Sequence, residues 1–562
     1  MRETDAIAAK ARAFLRTFLK DSPAKDEVLL EEQLDTRPVA VSRRNLGFVV
    51  LALFVSVLLA AMDQTIFSTA LPTVVGDLSG VDQMLWVATA YLLAGTIMMP
   101  IYGKLGDLFG HKLLLLSALA LFLGGSVLGG LAPSIDVLIA ARAVQGLGGG
   151  GLMILSQSVI ADIVPPRQRG TYMGIMAGAW AFASVLGPVL GGWFADSIGW
   201  RWAFWFNLPL GLIAVLAVWA YVRMPLHKKA RRKLDIPGMM TLAVATTALI
   251  LVISWGGREY PWDSPLILGL IGLTVVVAGL LVFVERRAAE PVIPLHLFRD
   301  RNFNLVTAGA LFSSVAFLGV IVYMPSYLQM VTGLSATKAG LLVVPLAAGI
   351  QVGSLGSGII ASRTGKYRWM PALSVLLIGI SLVLLSTLDP DTSLTVTGIY
   401  LFICGIGTGI GFQILVLIVQ NSFPITQVGT ATGAHNFFRQ IGASVGSAVV
   451  GTLFTGRLMG LLGDRLGPWG TGSGGSVDPH SLTPAMVDQM PEDLKTIVIT
   501  SYNEALAPVY LYIAPLMLVA FVLFIFIKPK PLGLTNEIPA DARSTDEASP
   551  ADLAQPTTPP LS

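Results

Sequence analysis

Apolar positions in this chain come in long runs, without the alternation or the three-four spacing of half-buried elements. A window of about 19 residues finds runs long enough to cross a hydrocarbon layer of about 30 Å. Fourteen such runs are read, at 46–70, 85–105, 113–132, 136–161, 171–195, 202–222, 237–256, 265–285, 303–331, 339–361, 369–388, 396–420, 430–455 and 506–527. In lipid each run must satisfy its own backbone donors and acceptors, and a helix does so within the segment. The pattern therefore predicts an all-α polytopic membrane protein with fourteen transmembrane helices.

Composition agrees and removes other classes. Charged residues make up 13% of the chain, against about 25% in soluble proteins. With 54% hydrophobic residues and a mean hydropathy of +0.72, an ordinary soluble protein is excluded. A formal net charge of +3 gives no reason to expect a nucleic-acid partner, and a single cysteine, Cys404, cannot form an intrachain disulfide. The first 45 residues have no short apolar core before a small-residue cleavage site, so no removable signal peptide is expected.

Basic residues set the expected orientation. With the N-terminus inside, the inner connections and flanks hold 21 Lys and Arg residues and the outer ones hold 6, so both termini are expected in the cytoplasm. Trp193, Trp200, Trp202 and Trp205 then cluster at the outer ends of spans five and six, where indole rings favour the headgroup layer. Residues 6–20 put Ile7, Phe14 and Phe18 on one helical face beside Lys10, Arg12, Arg16 and Lys20. That arrangement fits a basic helix on the inner leaflet and equally fits a disordered tail. Residues 456–505 read as a polar outer loop, and the Pro/Ser/Thr-rich residues 533–562 as disordered.

The chain also repeats itself. Shifted by 259 positions, Gly146, Gly148, Gly150, Pro165, Gln168, Gly170, Thr171, Gly174, Gly187 and Gly192 fall on Gly405, Gly407, Gly409, Pro424, Gln427, Gly429, Thr430, Gly433, Gly446 and Gly451. A shift of 255 lays the loop from Gly103 to His111 over Gly358 to Lys366, with Ser362 in the place of Asp107. The offset covers eight helices while the matched elements are equivalents in six-helix units, so two spans at 237–285 are an insertion. The expected organisation is an N-terminal segment 1–45, a six-helix bundle 46–222, a two-helix insertion 223–302, a second six-helix bundle 303–530 and a tail 531–562. Two parallel six-span repeats form the arrangement in which substrate sits near the midplane between bundles that rock about it.

These residues carry a family resemblance. The loop GKLGDLFGHK after span two resembles the signature loop of the major facilitator superfamily, and ALPTVVGDL after span one resembles its drug-antiporter branches. The fourteen-span count narrows the likeness to proton-coupled drug antiporters related to EmrB and QacA. ARAVQGLGGGG in span four and SVLGPVLGGW in span five are similar to further motifs of that group, so the resemblance covers nearly all of residues 46–530. It implies the major facilitator fold. It also implies an exporter, through the span-five motif with Gly187, Pro188, Gly191 and Gly192. The sequence departs at Ala179 and Ala183, small positions often held by glycine, and at Ser362. The expected location is the bacterial inner membrane, the expected state a monomer, and the expected partners are the bilayer, protons and an amphiphilic small molecule. No cofactor or metal is expected, the proton gradient being the driving force.

Ionisable residues inside spans are costly and usually face a cavity or each other. Asp63 is the only carboxylate well inside a span. Counted at about 1.5 Å per residue, it lies at a depth similar to that of Arg142 in span four, so the two are expected to pair. Burial raises a carboxyl pKa and a nearby guanidinium lowers it, so their separation would switch Asp63 between holding and releasing a proton. A static pair that orders spans one and four is the alternative. Asp107, in a turn at the inner ends of spans two and three, is expected to latch onto a helix N-terminus of the other bundle, with Gly103, Gly110, Lys112 and Asp162 around it. Lys112 is expected to pair with Asp162. Candidates for the substrate cavity are Gln145, Gln157, Trp180, Phe182, Tyr323, Met324, Phe412, Gln413, His435 and Arg439.

Other functions fit less well. No phosphate-binding G-x-x-x-x-G-K-[ST] loop occurs, and the glycines at 146–151 lie inside an apolar run, so an ATP-driven pump is excluded. A membrane-embedded transferase has only the HLFRD run at 296–300 in its favour, so no enzyme is expected. The reading that remains is a proton-coupled exporter of lipophilic, amphiphilic or cationic drugs and dyes. An exporter of an endogenous lipid or envelope metabolite is kept as the alternative, and a proton-coupled nutrient importer stands behind both.

Overall fold

The computed structural model describes residues 43–80, 83–222, 234–257, 259–466, 486–487 and 489–533. The segment 6–20, the basic connection 223–233, the glycine-rich stretch 467–485 and the tail beyond 533 lie outside the described residues.

Fourteen helices follow the apolar runs in order. They are α1 Arg43–Asp77, α2 Met84–Phe109, α3 His111–Gly130, α4 Ile135–Ile163, α5 Pro166–Trp193, α6 Asn207–Tyr221, α7 Ile236–Trp255, α8 Pro265–Glu285, α9 Arg301–Thr332, α10 Val344–Thr364, α11 Met370–Leu385, α12 Leu394–Gln420, α13 Val428–Leu466 and α14 Glu492–Ile525. Thirteen spans meet the length and hydropathy needed to cross a bilayer, α6 doing so together with the short helix Trp202–Trp205 that leads into it; α11, with 16 residues, is shorter. Local signals start several of them. Asp235 accepts from the Gly238 amide ahead of α7, Asp300 from Phe303 ahead of α9, and Ser393 from Val396 ahead of α12. Among the described residues the one strand-like feature is an isolated bridge between Gly256 and Tyr260.

Two boundaries depart from the sequence reading. Helix α1 continues through ALPTVVGD to Asp77, carrying Pro72 within it. The outer loop read over 456–505 is much shorter, because α13 runs on to Leu466 and α14 begins at Glu492. These polar helix ends brace each other: Arg465 bonds Glu504 at 2.6 Å and Ser501 at 3.2 Å, and Arg457 donates to the Glu504 carbonyl at 3.1 Å. Hydropathy alone ends a helix where polar residues begin, and here the polar turns pair across helices instead.

The helices form two bundles with one packing scheme. In the first, α1 lies against α5 and α6, α4 against α2 and α3, and α3 against α6; in the second, α9 lies against α13 and α14, α12 against α10 and α11, and α11 against α14. The glycines reproduce the scheme residue by residue. A side chain on Gly146 would strike the Tyr91 carbonyl and one on its repeat mate Gly405 the Leu346 carbonyl. Gly150 and Gly409 stand likewise against Gly95 and Ile350, and Gly148 and Gly407 against Ala118 and Ser374. Missing side chains let the helices pack backbone to backbone, which is how apolar helices associate where lipid supplies no hydrophobic drive.

The bundles meet along two seams, α2 against α13 and α5 against α10, which the repeat interchanges. The insertion breaks that symmetry. Helix α7 packs on α2 and α13, with Leu242 buried in the same cluster as Ile101 and Trp255 edge-on to Trp86 at 5.4 Å. Helix α8 pairs with α7 and is otherwise almost bare, its most apolar window only 6% buried.

Candidate functional site

Helix α1 carries Asp63 into the interior of the first bundle, where it is 2% exposed. Arg142 on α4 donates Nη1 to Asp63 Oδ2 at 2.6 Å. Gln145, one turn further along α4, donates Nε2 to Asp63 Oδ1 at 2.6 Å, and Asn207 at the start of α6 donates Nδ2 to the same oxygen at 2.9 Å. The Gln145 carbonyl accepts from Arg142 Nη1 at 2.6 Å, which fixes the amide so that its nitrogen faces Asp63 and the Ser126 hydroxyl. The guanidinium lies between the Phe67 and Tyr91 rings, 4.3 Å from each centroid. A charge taken out of water thus finds a counter-charge, neutral donors and two π faces, which is what offsets its desolvation.

The small-residue face of α5 packs beside this cluster. Side chains on Gly187 and Gly191 would strike Thr65 and the Ile66 carbonyl of α1, and the Ala183 carbonyl accepts from Thr65 Oγ1 at 3.0 Å. Pro188 lies within α5 on the next position, and Gly192 faces open space. The motif therefore joins α5 to α1 within a turn of Asp63.

A second cluster closes one end of the bundle interface, called here the Asp107 end. Gly110, at φ +94, makes the turn from α2 into α3, a backbone conformation that a side chain would strain. Asp107 lies in the last turn of α2 and not in the connecting turn as expected, because the helix continues to Phe109, and it points to the first residues of α13 in the other bundle. Its oxygens accept from the Gly429 amide at 2.9 Å and from the Thr430 amide and hydroxyl at 2.6 Å each. A carboxylate on a helix N-terminus completes the free amides and meets the positive end of the dipole. Gly103 lets α2 approach closely enough, since a side chain there would strike the Gly429 carbonyl.

His111 is a member that sequence reading missed. Its Nδ1 is 2.6 Å from Asp162 Oδ2, and its Nε2 is 3.4 Å from Asp107 Oδ1. Asp162 thus bonds to His111, while Lys112 donates to the Trp219 carbonyl at 2.9 Å. The repeat supplies the matching contact on the other seam: the Ser362 hydroxyl lies 2.9 Å from that of Thr171, the residue equivalent to Thr430. Arg167 adds bonds to the Ser362 and Arg363 carbonyls at 3.1 and 3.0 Å.

The cavity candidates separate. Gln145 belongs to the Asp63 cluster, while Met324 is packed in the core and Tyr323 ties α9 to α13 through the Ser447 carbonyl at 3.0 Å. Gln413 and His435 are buried, His435 Nδ1 lying 3.2 Å from Thr307 Oγ1. Trp180 and Phe182 on α5 are 38% and 50% exposed. Gln157, Phe412 and Arg439 gather at the seam, where Asn436 donates to Gln157 Oε1 at 3.2 Å and Arg439 stacks over Phe412 at 4.5 Å. Ser126, Asn207, Phe67 and Tyr91 were missed as site residues. An asparagine inside the apolar run FWFNLPLGL was the available signal for one of them.

Comparison with known proteins shows the family. The Major Facilitator Superfamily model matches residues 53–447. An uncharacterized MFS-type transporter of Mycobacterium tuberculosis is 38% identical over 490 residues, covering 87% of this chain and 70% of the relative. The multidrug transporter protein MdtP of Bacillus subtilis is 33% identical, covering 91% of this chain and 97% of the relative. Among solved structures, the human organic anion transporter MFSD10 (TETRAN) superposes with a TM-score of 0.57 at 16% identity, over 85% of this chain and 99% of that one. A bacterial homologue of the lysosomal transporter Spinster gives 0.53 at 17% identity, over 86% and 97%. The chain belongs to the Major Facilitator Superfamily and is a multi-pass membrane transporter rather than an enzyme.

Proposed function

We propose that this member of the Major Facilitator Superfamily is a proton-coupled exporter of lipophilic and amphiphilic small molecules that works by alternating access. The observation that carries the reading is the Asp63 cluster: a carboxylate deep in a span, held by one guanidinium and two amides on two other elements. Similarity to proteins named multidrug transporters supports the export of drug-like compounds.

The bonds suggest how coupling would work. In the arrangement seen, three donors face the carboxyl group. A proton arriving on Oδ2 would displace Arg142, whose guanidinium could then move only along the slot between Phe67 and Tyr91. Movement of α1 relative to α4 would follow. Because α1 is locked to α5 at Gly187 and Gly191, the shift would be passed to the α5–α10 seam. Taking the Asp107 end as cytoplasmic, on the distribution of basic residues, the latched state is the one closed to the cell interior and open to release outward.

The test is an accumulation assay with a panel of dyes and drugs in cells producing the wild type and Asp63→Asn. An exporter lowers cellular accumulation and Asp63→Asn restores it to the level of cells without the protein. Accumulation that rises with the wild type would overturn export. Full substrate-driven proton movement in Asp63→Asn would remove Asp63 from the coupling role.

A further inference from the structure

The second bundle keeps the scaffold of the first but not its ion pair. Gly187 packs on Thr65 and its mate Gly446 on Val315, so Ser313 stands where Asp63 does; Leu401 likewise stands in the place of Arg142. What the second bundle has instead is Arg439. It lies on α13 about 15 Å from the Asp107 latch, counting ten residues from Gly429, and so near mid-height. Met153, ten residues before the end of α4, faces it across the seam with its sulfur 3.9 Å from Arg439 Nη2.

The surroundings of Arg439 are specific. Nη2 donates to Asn436 Oδ1 at 2.9 Å, and Asn436 in turn bonds Gln157 of the first bundle. The guanidinium covers one face of Phe412, whose edge meets Phe317 at 5.4 Å. Among the described residues no carboxylate lies within ion-pair distance of Arg439, and its sealed Nε has no hydrogen-bond partner. Since Asp63 and Arg142 neutralise each other, the mid-height seam carries one uncompensated positive charge. A half-buried guanidinium at membrane depth with no carboxylate beside it is costly, and such groups mark substrate paths.

We propose that Arg439 is the recognition point for the anionic group of an acidic amphiphile, whose apolar body lies against Phe412 and Phe317. The planar guanidinium suits a carboxylate or phosphate, and the two rings suit an aromatic or alkyl body. This deepens the exporter reading and rests on it for the direction of travel. It also narrows the expected substrates from lipophilic, amphiphilic or cationic compounds to acidic amphiphiles.

The test uses the full-length protein in a neutral detergent and needs no gradient, so its failure leaves the efflux result to judge export separately. Quenching of tryptophan fluorescence is followed on titration with 1-pyrenebutyrate and with 1-pyrenebutylammonium, which share ring and chain and differ in sign. The carboxylate is expected to bind at least about tenfold more tightly, the range of one charged hydrogen-bonding contact. Arg439→Gln should bring the ratio near one, Arg439→Lys should keep the carboxylate preferred, and Phe412→Leu should weaken both probes without changing the ratio. A wild-type ratio of one or below overturns the proposal whether or not the variants fold, as does a preference that survives in monodisperse Arg439→Gln. Given the carboxylate preference, displacement of pyrenebutyrate by phosphatidylglycerol and not by phosphatidylcholine supports the proposal with a lipid anion as the source. Displacement by neither supports it with a free acid as the source.

Discussion

At the scale of single residues, the chemistry of the first bundle depends on groups of unequal visibility. Asp63 and Arg142 could be read from the sequence because charge is so scarce inside the spans that two deep opposite charges have few other partners. Gln145 was read as a cavity residue, yet it orients the pair. Ser126 and Asn207 were passed over because one small polar residue in an apolar run creates no periodicity, and Phe67 and Tyr91 were missed because an aromatic ring inside an apolar run carries no signal that a guanidinium will meet it. The shared oxygen Oδ1 leads to a prediction. Asn207→Leu leaves Asp63 Oδ1 with Gln145 alone, so thermal stability in detergent should fall by about 1–3 kcal/mol while the fold is retained. Arg142→Leu should cost more, about 3–5 kcal/mol, because it leaves a buried carboxylate without its counter-charge. Equal melting temperatures for Asn207→Leu and the wild type would show that the amide is a bystander.

At the scale of elements, the two seams are closed by related but unequal contacts. Asp107 makes three short bonds to the start of α13, whereas the equivalent Ser362 shares one neutral hydroxyl bond with Thr171 and depends on Arg167 for the rest. Charge-assisted bonds contribute roughly twice as much as neutral ones. Asp107→Asn should therefore open the Asp107 end far more than Thr171→Ala. In a Cys404→Ser background, maleimide labelling of Met99→Cys beside the α2–α13 seam should quicken several-fold in Asp107→Asn and little in Thr171→Ala. Similar labelling rates for the two variants would mean that the carboxylate is not the principal latch. The repeat made this comparison legible before any coordinates, since the shift by 255 sets Ser362 on Asp107. Helix ends were less legible: α13 and α14 extend through polar residues whose ion pairs join elements distant in sequence, and a window of hydropathy cannot register such pairs.

At the scale of the whole molecule, a symmetrical scaffold holds asymmetrical chemistry. Glycine contacts repeat from bundle to bundle, while the buried carboxylate belongs to the first and a guanidinium without a carboxylate partner among the described residues to the second. Energetic consequences can be counted. If one proton enters for each monoanion that leaves, two elementary charges move inward per cycle, and an interior potential of −100 mV adds about 4.6 kcal/mol. A neutral substrate would gain about half of that. Efflux of an acidic amphiphile from vesicles held at a voltage without a pH difference should thus respond twice as steeply as efflux of its uncharged amide. Identical voltage dependence would contradict the pairing of one proton with an anionic cargo. The repeat and the count of apolar runs lead to the expectation of two six-helix bundles with an insertion, and the helix contacts repeat between the two halves as that expectation requires. The position of the insertion was not legible, because nothing in the residues of α7 says which seam it covers. That position gives the transporter a sidedness within the plane of the membrane. With α7 laid over α2 and α13, and α8 outside it, a molecule dissolved in a leaflet meets a double wall at one seam and, among the described residues, only α5, α10 and the short helix Ala336–Leu341 at the other. A bilayer-dissolved cargo would therefore enter from a single compass direction, and a lipid or neighbouring protein lodged against α5 and α10 would act as a stopper.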